Sequence, residues 1–198
     1  ISGYRWDNKS LNTMNAVNHP IVIGLGANLP SQYGSPRNAC GAALELLEKS
    51  GIKIIARSPW YESAPVPVSD QPWYVNGVII IDSEWPPATI LKHLLGVETQ
   101  MGRQRGVRNA ARIIDLDLIA YGETITDTGQ TSIGKNGPDI PHPRMHERAF
   151  VVLPLRDLLP NWRHPASGQT VNKMATALPP NQSIRPMPDA DGLFGTEW

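Results

Sequence analysis

Apolar residues first gather after Pro20, where Ile21, Val22, Ile23 and Leu25 form a short run ending at Gly26-Ala27-Asn28. A run of that length, closed by turn residues, reads as a buried strand. Ser35 can then cap a helix with Pro36 at its first position, where a missing N–H does no harm. Ala39, Ala43, Leu46 and Leu47 recur at helical spacing, and Gly51 is placed to end the helix. Ile52 to Tyr61 reads as a strand that Pro59 confines to an edge or a bulge. Three prolines make residues 63–72 an ordered loop. Trp73 to Asp82 is a second β-rich run, with Tyr74 and Asn76 on one face and Trp73 and Val75 on the other. Ile90, Leu91, Leu94, Val97 and Met101 mark a second amphipathic helix from near Pro87, and Ile113 to Tyr121 is a further strand.

This order, β-α-β-β-α-β, is the split βαβ arrangement of an α+β, ferredoxin-like fold, which buries one sheet face under two helices. Residues 122–140 read as a Gly/Thr/Asp-rich loop, while 146–159 and 170–177 read as extra C-terminal helical pieces. Residues 1–19 are polar, Asn-rich and without period, so a flexible tail is expected there. From Pro179 onward, Pro-Pro and Pro-Met-Pro predict an irregular tail, leaving 20–178 as the folded domain.

A length of 198 residues suits one core with appendages. Lys and Arg number 18 and Asp and Glu 18, which argues against a protein coating DNA or an anionic membrane with its whole surface. The single Cys40 excludes an internal disulfide or a multi-cysteine metal site, and its place among alanines predicts a buried, inert thiol. The longest apolar stretch, Ala149 to Leu155, is far short of a membrane span, and no basic-then-apolar leader opens the chain. A cytoplasmic protein is expected.

Chemistry concentrates in two segments. Between Glu98 and Asp115 stand Arg103, Arg105, Arg108 and Arg112 with no acid among them. Guanidinium forks suit phosphate oxygens, although a solvated basic loop would look the same. Asp115 and Asp117 alternate with Ile114, Leu116 and Leu118, so both carboxylates leave one strand face, roughly 6–7 Å apart at Cα. Like charges at that spacing call for water or a cation, and Mg²⁺ takes one or two carboxylates plus substrate phosphate oxygens. Arginines beside such a pair suggest a magnesium–nucleotide site for phosphoryl transfer. The second segment, Pro141 to Phe150, offers His142, Arg144, His146 and Arg148 as further cations, with Phe150 able to stack on a flat ligand. His142 and His146 lack the pattern of a metal pair. Gly24-Leu25-Gly26-Ala27-Asn28-Leu29 begins like a dinucleotide turn but has Leu29 where the third glycine belongs, and no P-loop occurs.

The segments, in order, resemble the 6-hydroxymethyl-7,8-dihydropterin pyrophosphokinase family. They are Gly26-Ala27-Asn28-Leu29, Tyr61-Glu62-Ser63-Ala64-Pro65 and Asp70-Gln71-Pro72-Trp73-Tyr74-Val75-Asn76, then Glu98 through Arg105, Arg112 to Asp117, and Ile140 to Phe150. The resemblance covers residues 21 to about 160. It implies transfer of a diphosphate from ATP to the pterin hydroxymethyl group in folate biosynthesis, with release of AMP. It also implies that Asp115 and Asp117 hold two Mg²⁺ ions and that Arg103 and Arg112 contact the transferring phosphates. Arg105, His142 and Arg148 would line the ATP side, and Ser63, Pro65, Tyr74, Asn76 and Phe150 the pterin. Asn109-Ala110-Ala111 stands where the family commonly has Trp-Gly-Pro, which bears on how the 102–112 loop closes.

Two other readings stay open on the residues alone. One is a different magnesium–nucleotide transferase using the Asp-x-Asp pair. The other is an RNA-binding module on the same sheet, although the aromatic ribonucleoprotein motif is absent and no nucleic-acid partner is expected.

Overall fold

The computed structural model describes residues 19–103, 110–126 and 137–196. The expected N-terminal tail therefore lies, apart from His19, outside the described residues. Six strands form one antiparallel sheet: β1 (Ile21–Ala27), β2 (Lys53–Arg57), β3 (Tyr61–Ser63), β4 (Tyr74–Asp82), β5 (Asp115–Tyr121) and β6 (Ile184–Pro186). Their order is β5-β1-β4-β3-β6, with β2 beside β4 as well. Helices α1 (Pro36–Lys49) and α2 (Pro87–Gln100) complete the ferredoxin-like core, and α3 (Ala149–Leu158) and α4 (Val171–Thr176) follow it.

Local chemistry accounts for the element ends. Ser35 Oγ accepts the Asn38 N–H at the start of α1, and Gly51 leaves its end with φ 96°, a conformation that suits glycine. The run expected as one strand over 52–61 divides at Pro59, which has no N–H to give. Ser58 fills the gap by donating its N–H to the Val78 carbonyl and accepting the Val78 N–H on Oγ at 3.0 Å.

Ile21, Ile23, Leu25, Ile79, Ile81, Leu116 and Leu118 pack under α1 and α2. The opposite face is also covered, which departs from the one-sided core expected. Val22, Val78, Ile80 and Ala120 pack against Val151, Val152 and Leu155 of α3 and Val171 and Met174 of α4. Burial on both faces explains why Ile21–Leu25 and Val78–Ile81 read as continuous apolar runs. A bulge in β5, where Val22 pairs with Ala120 but Ile23 with Leu118, puts Ile119 on the α3 side with Ala120. Helix α3 covers this face at one end only and leaves the other end open.

The C-terminal segment differs from the irregular tail its prolines suggested. Strand β6 pairs with β3, and Met187 N–H bonds the Trp60 carbonyl. Arg57 meets Asp189 at 3.1 Å, Arg37 donates to the Gly195 and Pro188 carbonyls, and the buried Trp60 ring N–H donates to the Phe194 carbonyl. Long-range bonds outweigh the local preference of the prolines.

Candidate active site

A cleft of about 470 Å³ opens on the uncovered end of the α3-side face. Its floor runs across three strands. Gly26 of β1 lies between Asp115 of β5 and Asn76 of β4, and Gly24 lies beside Asp117. A Cβ on Gly26 would stand 3.1 Å from Asn76 Oδ1, and one on Gly24 would stand 3.2 Å from Ile119 Cδ1. The two glycines thus leave a flat strip, with carboxylates on one side and a side-chain amide about 10 Å away on the other, two strand spacings across.

On the carboxylate side, Asp115 receives Arg103 Nη1 at 2.9 Å and Arg112 Nη1 at 2.5 Å. Arg103 also pairs with Glu98, a buried acid whose Oε1 accepts the Leu116 N–H at 2.7 Å. One carboxylate therefore ties the base of the arginine loop to the strand residue between the two aspartates. Asp117 faces Arg148 at 3.8 Å. Burial, then the charge of Asp115, raises its pKa above the ordinary carboxylate value. Burial lowers His142 below the usual histidine value despite the charge of Asp117.

On the opposite side, Asn76 Nδ2 donates to Ser63 Oγ at 2.9 Å, and Tyr74 donates its hydroxyl to Gln71 Oε1 at 3.2 Å. Buried Pro65 lies in the loop that follows β3, and Phe150 lies 5.5 Å from the Arg148 guanidinium. Ser63, Pro65, Tyr74, Asn76, Arg103, Arg112, Asp115, Asp117, His142, Arg148 and Phe150 all line this one cleft. Arg105, assigned to the ATP side, lies outside the described residues, as do Gly106 and Asn109 of the arginine loop.

Sequence reasoning missed part of the lining. Gly24 and Gly26 carry no site role in the sequence reading, yet glycines two apart in an apolar strand share a face and signal a place where a ligand approaches backbone. Arg144 and Gln71 also line the cleft without an assigned role. Elsewhere, burial pushes the Cys40 thiol up to about 12, as an inert core position requires.

Two carboxylates on one wall, one with its pKa raised, form a donor set that a hard divalent cation would stabilise. No third acid or histidine joins a metal cluster among the described residues. That set fits Mg²⁺, which keeps water and takes phosphate oxygens for its remaining positions. Also among the described residues, no helix is long and apolar enough to cross a membrane.

Comparison with known proteins places the chain in a family. Residues 22–160 match the model of the family described as 7,8-dihydro-6-hydroxymethylpterin-pyrophosphokinase. A 2-amino-4-hydroxy-6-hydroxymethyldihydropteridine pyrophosphokinase of Pseudomonas aeruginosa is 35% identical over 160 residues, covering 80% of this chain and 91% of that protein. Folic acid synthesis protein FOL1 of Dictyostelium discoideum is 34% identical over 182 residues, 92% of this chain but only 26% of the longer protein. The solved structure of Plasmodium falciparum HPPK-DHPS wild type with pteroate shares the fold, with a TM-score of 0.59 and 14% identity, over 80% of this chain and 44% of that one. The chain thus spans a part of these longer relatives and nearly the whole of the bacterial one. It belongs to the 7,8-dihydro-6-hydroxymethylpterin-pyrophosphokinase family.

Proposed function

We propose that this chain transfers an intact diphosphate from ATP to the hydroxymethyl group of 6-hydroxymethyl-7,8-dihydropterin, releasing AMP, as a step of folate synthesis. The observation that carries the reading is the floor row Asp115–Gly26–Asn76, which sets a cation-binding wall opposite a hydrogen-bonding wall across a glycine strip. A different magnesium–nucleotide transferase would use the aspartates but would leave Ser63, Asn76 and Tyr74 unexplained.

Each group then has a task. Asn76 and Ser63 meet the polar edge of the pterin, and Tyr74, Pro65 and Phe150 flank its rings. Arg103 and Arg112, now paired with Asp115, turn to the transferring phosphates, exchanging one anion for another. His142, Arg148 and Arg105 serve the ATP side. Two Mg²⁺ ions held by Asp115 and Asp117 would neutralise phosphate charge and align the reacting oxygens.

The pterin hydroxyl oxygen forms a bond to the β-phosphorus as the bond from that phosphorus to the α–β bridging oxygen breaks. The electron pair leaves with AMP, and the hydroxyl proton passes to water. Placement and charge neutralisation carry most of such a transfer, so no strong general base is required. The reading includes a cytoplasmic setting, with its supply of Mg-ATP. Incubating the chain with Mg-ATP and the reduced pterin alcohol should yield AMP and pterin diphosphate in equal amounts. Formation of ADP, or of neither nucleotide, would overturn it.

A further inference from the structure

Arg148 occupies the N-cap position of α3, yet its own side chain makes no capping bond. The first free N–H of that helix is satisfied from far along the chain. Gln182 Oε1 accepts the Ala149 N–H at 2.9 Å, and Gln182 Nε2 donates to the Glu147 carbonyl at 2.8 Å. One side-chain amide thereby grips the backbone on both sides of Arg148, as a neighbouring strand would. The adjoining residues hold the other wall: the Ser183 carbonyl accepts the Ala64 N–H at 2.9 Å, and Ile184 pairs with Ser63. Tyr61 of β3 also donates to Asp157 of α3 at 2.5 Å, a second tie between the same two elements.

We propose that Gln182 is a positioning residue, which fixes the backbone of Arg148, and so its guanidinium, relative to Ser63 across the cleft. The segment supplying it lies beyond residues 22–160, where the family match ends. Arg148 lies 3.8 Å from Asp117 and 5.5 Å from the Phe150 ring, so a rotation of its backbone would disturb both contacts. Tight control of that backbone matters because bidentate contacts to phosphate tolerate little misplacement. A residue that merely capped the helix would need only the acceptor atom. The donor bond to Glu147 has no part in capping and completes the grip.

The inference rests on the proposed role of Arg148 toward ATP, and its test is a double-mutant cycle. Gln182→Met keeps the length of the side chain and removes both bonds. Mg-ATP affinity is read by calorimetry, and AMP formation is followed separately. Gln182→Met should weaken Mg-ATP roughly threefold to tenfold, the worth of one or two hydrogen bonds, with kcat within about twofold of the parent. In the Arg148→Ala background the same substitution should change affinity by less than about twofold, because the residue it acts through is gone. Equal losses in both backgrounds, or no loss in the first, would overturn the inference. Gln182→Glu keeps an acceptor for Ala149 but cannot donate to Glu147, so it should hold the melting temperature while losing affinity, and it replaces Gln182→Met if that variant does not fold. Parent protein that binds Mg-ATP without forming AMP would strike the proposed reaction and leave the cycle readable. Parent protein that binds no Mg-ATP would overturn both.

Discussion

Asn28 and Arg112 are stapled together: Asn28 Oδ1 accepts the Arg112 N–H at 2.7 Å, and the Asn28 N–H donates to the Arg112 carbonyl at 3.0 Å. The same buried amide donates from Nδ2 to Gln71 Oε1 and the Pro72 carbonyl, each at 3.2 Å. One side chain at the end of β1 therefore ties the foot of the arginine loop to the loop that precedes Tyr74. Asn28→Ala leaves the Arg112 N–H and the Pro72 carbonyl without this partner. It should cost about 1–3 kcal/mol of stability. Pterin KM should rise as well, because Gln71, which receives the Tyr74 hydroxyl, loses its bond from Asn28. A variant with parent-like melting temperature and KM would show that the staple carries no strain from one loop to the other.

At Asp117 the proposed cation role and stability oppose each other. Burial and the neighbouring Asp115 charge both disfavour its ionised form, whereas cation binding needs it. Asp117→Asn should thus keep or raise the melting temperature while lowering turnover by about two orders of magnitude or more, the scale of lost metal-assisted charge stabilisation. Asp115→Asn should instead lower the melting temperature, since Arg103 and Arg112 both lose their carboxylate partner. Melting curves and AMP formation on the two variants check this contrast, and near-parent turnover in Asp117→Asn would refute the cation role.

The pH dependence follows from two shifts of opposite sense. Asp117 is raised above 3.8, so its contribution to stability is present below that value and is lost as pH rises through its folded-state pKa. His142 is lowered below 6.5, so its contribution is present above that value and is lost as pH falls through its own folded-state pKa. In the proposed site a proton and a cation compete for Asp117. The acid limb of kcat/KM should therefore lie above pH 3.8 at low Mg²⁺ and move to lower pH as Mg²⁺ is raised. A limb that stays in place over a wide range of Mg²⁺ would argue against a cation at this carboxylate.

The parts of the site written in local pattern could be read before the fold was known. Alternation put Asp115 and Asp117 on one face and Tyr74 with Asn76 on another, and the structure places both pairs in one cleft. What sits between them could not be read this way. Gly26 meets Asp115 and Asn76 through a register set by pairing among β5, β1 and β4, and no window of sequence contains those pairings. The β6 segment misled for a related reason. Its prolines speak for irregular backbone, but Ile184 and Arg185 gain a partner in β3 that only the closed fold supplies. Gln182 has no periodicity at all, and its role exists only because the chain returns to the start of α3.

Gly26 tests whether the floor must be flat. An added Cβ would stand 3.1 Å from Asn76 Oδ1, tighter than ordinary contact, and that oxygen belongs to a side chain already committed to Ser63. Gly26 lies within β1 and has no positive φ, so alanine is no strain on the backbone there, and the conflict is confined to the cleft. Gly26→Ala should accordingly fold with a melting temperature near that of the parent, yet raise pterin KM about tenfold as Asn76 is pushed off its position. Gly24→Ala meets Ile119 Cδ1 and Cγ1 rather than Asn76, and should change pterin KM far less. Equal effects of the two substitutions on pterin KM would mean that the ring does not lie against the Asn76 side of the floor.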